Sequence, residues 1–102
     1  MDDLQNKHAQ LLLYLISSFE LAAMQNMGKI KSPITDKIEK DLEQAQFSID
    51  LLDMLKEKTK GNLSGDEHKF LDNVLGQLKL NYLDEVSKEK KEKENKPDEK
   101  IN

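Results

Sequence analysis

Apolar residues recur three and four apart along most of this chain, and the rhythm breaks at Gly28 and again at Gly61. Between those breaks Ile34, Ile38, Leu42, Ala45, Ile49, Leu52 and Leu55 form one row, with Phe47, Leu51 and Met54 beside it. At 3.6 residues per turn this spacing stacks each row on one face and predicts a helix over about 33–60. Ser32 supplies an N-cap hydroxyl and Pro33 suits the first helical position, where a missing amide hydrogen costs nothing. Lysines near Thr59 complement the helix dipole, and Gly61 provides a left-handed stop. Two apolar rows require neighbours on two sides.

The segment before it, about 4–27, is the most apolar. Its centre, Leu11 to Met24, reads LLLYLISSFELAAM. Length, good helix formers and the absence of Gly or Pro before Gly28 predict helix rather than strand. Ser17, Ser18 and Glu20 interrupt a run already shorter than the roughly 20 residues of a spanning helix, which argues against a membrane segment. Leu12, Ile16, Phe19 and Ala23 suit the face toward the central helix. Leu13, Tyr14, Leu21 and Met24 point away from that row, and are the candidate interface residues. Contiguous apolar surface of this kind is unusual on monomers, so a second copy of the chain is the expected cover. The alternative is a compact three-helix core that uses all of these residues. Gly28 closes the helix, leaving a connector of Lys29 to Ser32 and hence an antiparallel hairpin.

After Gly61 the run Ser64-Gly65-Asp66-Glu67 is an S-x-x-E capping box, the clearest local signal in the chain. It opens a third helix over about 65–86, carried by Phe70, Leu71, Val74, Leu75, Leu78 and Tyr82. Residues 87–102 hold six lysines and five acids, with Ile101 their one apolar residue. This charged tail is expected to fray as helix to about Glu94 and to be disordered from Pro97. The fold class expected is therefore all-α, an antiparallel three-helix bundle or extended helical hairpins completed by self-association, with a dimer as the simplest assembly.

Composition sharpens this picture in three places. A chain of 102 residues supports one domain with a modest core. Its formal charge of −4 opposes sequence-independent nucleic-acid binding, which draws on a concentrated basic surface. No cysteine is present, which removes disulfides and thiolate chemistry and fits a reducing, cytoplasmic setting. The Met-Asp-Asp start has no basic n-region of a secretory signal.

Candidate chemistry is sparse. His8 and His68 belong to no metal-ligand motif, although Asp72 lies four residues after His68. Gly28-Lys29 lacks the spacing of a phosphate loop. Asp50, flanked on its helix surface by Phe47 and Met54, and Tyr82 are candidate polar anchors. Asp50 is more simply read as an acid that turns out to water. No catalytic, cofactor or metal site is expected.

The segments Met27-Gly28-Lys29, Pro33-Ile34-Thr35 and IEKDLEQAQFSIDLLDMLKEKTKGNL, followed by the acidic capping turn and Asn81-Tyr82, resemble the family called domain of unknown function 1844. The likeness runs over roughly Leu11 to Val86 and rests on the combination, above all IDLLDMLKEKTKGNL. It departs at Asp36 and in the long Lys/Glu tail. The resemblance implies a small bacterial cytosolic helical protein and implies no activity.

Two functional readings follow. The first is a non-enzymatic interaction protein, self-associating through the outer face of its first helix. The second is a ligand-binding or catalytic bundle whose pocket gathers Tyr14, Gln25, Asp50 and Tyr82. Peripheral membrane attachment through the first helix ranks below both, for want of a lysine rim.

Overall fold

A computed structural model describes residues 2–94 as three helices, α1 (Asp2–Asn26), α2 (Leu42–Lys58) and α3 (Gly65–Glu94), with no strand among the described residues. The all-α expectation holds. Ion pairs fix the relative directions of α2 and α3. Asp53 meets Lys79 and Lys56 meets Asp72, so the two run antiparallel. The amide of Asp41, just before α2, donates to the carbonyl of Asn26 at the end of α1, which turns the chain back in the same way.

Two of the local signals act as the sequence implies. Ser64 Oγ accepts from the amide of Glu67 at 3.1 Å while Glu67 Oε1 accepts from the amide of Ser64 at 2.9 Å, a reciprocal cap on α3. After α1 the amide of Lys29 donates to the Met24 carbonyl and that of Gly28 to Gln25. With Gly28 at φ +82 this is a Schellman closure, which a residue bearing a Cβ adopts only under strain.

The expected start of the central helix near residue 33 is corrected. Ser32 Oγ does accept from the amides of Ile34 and Thr35, but the turn it caps does not propagate. Asp36 takes φ 57, a left-handed conformation that ends helical winding. With the helix not formed here, Asp36 and Lys40 do not sit one turn apart as an ion pair. Thr35 Oγ1 instead donates to Glu39 Oε2. The working N-cap is Asp41, whose side chain accepts from the amide of Gln44 at 3.1 Å. Asp-x-x-Gln is a capping pattern as good as the one at Ser32, and it lies where apolar burial begins. Ile34 and Ile38 accordingly leave the core row and stand 92% and 53% exposed. The connector is residues 27–41 rather than four residues, and it has a folded course of its own.

The core is one cluster: Ile16, Ala23 and Met27 from the α1 side, Ala45, Ile49 and Leu52 from α2, and Leu71, Val74, Leu75 and Leu78 from α3. Leu12, Phe19, Leu42, Leu55, Phe70 and Tyr82 pack around it. The inward row read for α1 and the central part of that read for α2 are those the fold uses. The second α2 row is not. Phe47 and Met54 are exposed and Leu51 is half-buried. Past Glu85, α3 continues as helix to Glu94, giving the molecule a long dimension of 68 Å. The disorder expected from Pro97 falls outside the described residues.

Leu52 is fully buried and Ile34 almost fully exposed, although both belong to one apolar row in the sequence. Leu52→Ala is expected to cost about 2–5 kcal/mol, and Ile34→Ser to stay within about 0.5 kcal/mol of the parent. Urea denaturation followed by circular dichroism measures both. Equal losses would show that residues 33–41 are helical and packed after all.

Candidate functional site

Two features stand out once the core is accounted for. One is the outer face of α1. Ile16 and Ala23 point at α2 and α3, so residues half a turn away point out. Leu4, Leu11, Tyr14 and Leu21 lie there and are 58%, 55%, 73% and 51% exposed, with Leu15 beside them. They recur at seven-residue intervals, Leu4 with Leu11 and Tyr14 with Leu21, which keeps them on one stripe along the helix. The Ser18 hydroxyl on the same stripe donates to the Tyr14 carbonyl at 2.8 Å.

Of the four residues expected at an interface, Tyr14 and Leu21 sit on this stripe. Leu13 is exposed nearer the edge of the core. Met24 is half-buried and packs on the core cluster, which corrects its placement on the outer face. The helical angle explains the split, since Leu13 and Met24 lie on the flank next to Ile16 and Ala23 while Tyr14 and Leu21 lie opposite them. Leu4, Leu11 and Leu15 belong to the face and were not among the residues expected there. The seven-residue repeat was the signal that could have found Leu4 and Leu11, whereas Leu15, with His8 and Ala22 seven residues to either side, carried no such signal.

The second feature is a charge cluster that ties the connector to α3. Glu85 is buried, its Oε2 2.6 Å from Lys29 Nζ and its Oε1 3.0 Å from Lys40 Nζ. Lys88 lies 3.2 Å from both Glu85 and Asp84, and Lys29 reaches Asp84 at 2.9 Å. The hydrogen bond from Lys29, joined by those from Lys40 and Lys88, outweighs desolvation and holds Glu85 at about 2. Asp84 is lowered chiefly by its bond from Lys29, and Lys29 is raised by the two carboxylates. Glu85 continues the buried run Leu71, Leu75, Leu78, Tyr82 at helical spacing, so an acid in a core row was the available clue. A second link joins Lys56, Asp72 and His68, with Nδ1 of His68 3.2 Å from Asp72. The bond from Lys56 lowers Asp72 and raises Lys56 in turn.

The polar residues proposed for a pocket do not converge. Asp50 is exposed and accepts from Gln46 Nε2 on its own helix at 2.8 Å, and Tyr14 faces away from the bundle. Tyr82, half-buried against the core, lines a shallow cleft of about 310 Å³ with Gln46, Ile49, Lys79 and Leu83. A wider, more polar cleft of about 640 Å³ lies between the first turns of α1 and the α2–α3 connector, with His8, Asn62 and Glu67 among its walls. Neither is lined by Tyr14, Gln25 or Asp50. Among the described residues no three His, Cys, Asp or Glu side chains are placed to hold a metal ion, and no helix is long and apolar enough to cross a membrane.

Residues 8–84 match the family model described as Domain of unknown function (DUF1844). No curated protein and no solved structure matches the chain.

The charge cluster gives the fold a definite acid response. A carboxyl held at about 2, against 4.5 for an ordinary glutamate, contributes stability that is fully present above pH 4.5 and is lost as the pH falls from there toward 2. Glu85→Gln is expected to lower stability at pH 7 by on the order of 1–3 kcal/mol. The gap between variant and parent should shrink as denaturation is repeated at successively lower pH between 4.5 and 2. A gap that is constant over this range would show that the Glu85 charge contributes nothing.

Proposed function

For a chain that belongs to the domain of unknown function 1844 family, whose description assigns no chemistry, we propose a non-enzymatic helical interaction protein that self-associates through the outer face of α1. The observation that carries this reading is the stripe itself. Leu4, Leu11, Tyr14, Leu15 and Leu21 are all exposed on one side of one helix. A surface of this kind gains by being covered, at roughly 25 cal/mol for each Å² of apolar area removed from water. Nothing comparable supports turnover. Tyr14, Gln25 and Asp50 line neither cleft, and the strongly shifted carboxyl, Glu85, is saturated by lysines that hold the connector in place. A perturbed acid marks a reaction centre when it borders a site that substrate can enter. Glu85 borders structure.

Self-association predicts a concentration-dependent mass by light scattering, rising toward that of a dimer at tens of micromolar chain. Leu21→Glu and Tyr14→Glu each place a carboxylate at the centre of the face. Each is expected to weaken association at least tenfold, about 1.4 kcal/mol, while leaving the circular dichroism of the helices intact. Leu13→Glu, on the flank, should weaken it less. A parent chain that remains monomeric throughout this range would remove the proposal.

A further inference from the structure

The order of side chains along the α1 stripe says more than that it is apolar. Written as a heptad seam, one line holds Leu4, Leu11, Ser18 and Gln25 and the other Lys7, Tyr14 and Leu21. Ile16, at the middle of the seam, is fully buried on the opposite side of the helix, so the seam runs directly away from the core. A second α1 could lie along it in either direction, and the two directions make different demands.

In parallel register each seam residue meets its own copy. Lys7 would face a second lysine and Tyr14 a second tyrosine, while two Ser18 side chains would leave a gap between them. Like charges would oppose each other, and large side chains would sit on large while small sat on small. Antiparallel pairing about a two-fold axis beside residue 16 resolves all three. Leu11 then meets the partner's Leu21, Tyr14 meets the partner's Ser18, and Lys7 meets the partner's Gln25, each pair occurring twice. Large faces small in the two central layers, leucine faces leucine in the flanking layers, the polar Lys7 and Gln25 pair follows, and Leu4 lies outermost, opposite the partner's Gly28 just past the end of its α1. The Ser18 hydroxyl can be covered without loss because it already donates to the Tyr14 carbonyl. Exposed Asp3 also comes to the end of the seam where the partner's Lys31, exposed on the connector, follows its α1. Helix dipoles laid antiparallel add to the preference.

We infer that the partner covering this face is a second copy of the chain, docked as an isologous antiparallel α1 pair with Leu11 against the partner's Leu21 and Tyr14 against the partner's Ser18. The inference rests on the self-association proposed above and adds its direction and register. One helix face per copy is smaller than the roughly 800 Å² per partner of a standard interface, so dissociation in the micromolar range is expected.

The chain contains no cysteine, so introduced thiols report contacts without interference. Leu11→Cys and Leu21→Cys, both at exposed positions, are prepared separately, one with a removable mass tag, and are mixed at tens of micromolar under mild oxidation after circular dichroism shows both folded. In the inferred register residues 11 and 21 of opposite copies share a layer. The like pairs 11 with 11 and 21 with 21 are ten residues out of step, about 15 Å along the axis, beyond the reach of a disulfide. The mixed disulfide should therefore exceed each like disulfide severalfold, and Tyr14→Cys mixed with Ser18→Cys should favour the mixed disulfide less sharply, since its like pairs are only four residues, about 6 Å, out of step. A dimeric mass with like disulfides dominant would overturn the antiparallel register while leaving self-association standing. A dimeric mass without disulfide at any of these positions would place the interface elsewhere and overturn the inference. A monomeric mass for the parent would overturn the inference and the proposed function together.

Discussion

The Glu85 carboxylate, buried near the far end of the bundle and clasped by Lys29, Lys40 and Lys88, is the constraint on which the remaining geometry depends. Taking a carboxylate out of water costs several kcal/mol unless opposite charge and hydrogen bonds replace its hydration. Here the replacements come from two places in the chain. Lys88 is one turn along the same helix, whereas Lys29 and Lys40 stand near the two ends of the α1–α2 connector. A connector of this length, with Ile34 in water and Ile38 half exposed, has little apolar burial of its own to hold it beyond Met27 and half-buried Ile30. The shared carboxylate supplies the hold. It fixes where α1 stops and where α2 can begin.

With both ends of the connector pinned to α3, α1 is held against the bundle along one face and cannot roll to hide the other. Ile16 and Ala23 enter the core and Tyr14 and Leu21 stay outside. A single helix with apolar side chains on two opposite faces satisfies one of them within the chain and presents the second to something else. This arrangement suits contact along an extended helix face. A reaction centre needs polar groups brought together out of reach of bulk water, whereas Asp50 bonds to its own helix and Tyr14 faces outward.

The helices, the inward row of α1, the central part of that of α2, the end of α1 and the start of α3 could be read from residue order, because each depends on local chemistry. The Ser64 and Glu67 cap closes within four residues, and the Gly28 closure within six. The start of α2 could not be read in the same way. Ser32 followed by Pro33 and Asp41 followed by Gln44 offer two competent caps nine residues apart, and Ile34, Ile38 and Leu42 keep helical spacing between them. Which cap opens the helix is decided by where apolar side chains find a surface. Ile34 and Ile38 find none, while Lys29 and Lys40 find Glu85.

Residue order by itself determined an all-helical chain, the core positions Ile16, Ala23, Ala45, Ile49 and Leu52, a third helix opened at Ser64, and more apolar surface on the first helix than one neighbour can cover. Hydrophobic periodicity and capping act over a few residues, so the chain states them directly. Only the tertiary structure decided that the segment 33–41 is a tethered turn, that Met24 belongs inside and Leu15 outside, and that Glu85 anchors two distant lysines. Those outcomes depend on which surfaces remain once three helices have packed, and on charges meeting across as many as fifty-six positions of sequence, as Lys29 and Glu85 do. Local spacing carries no record of such meetings.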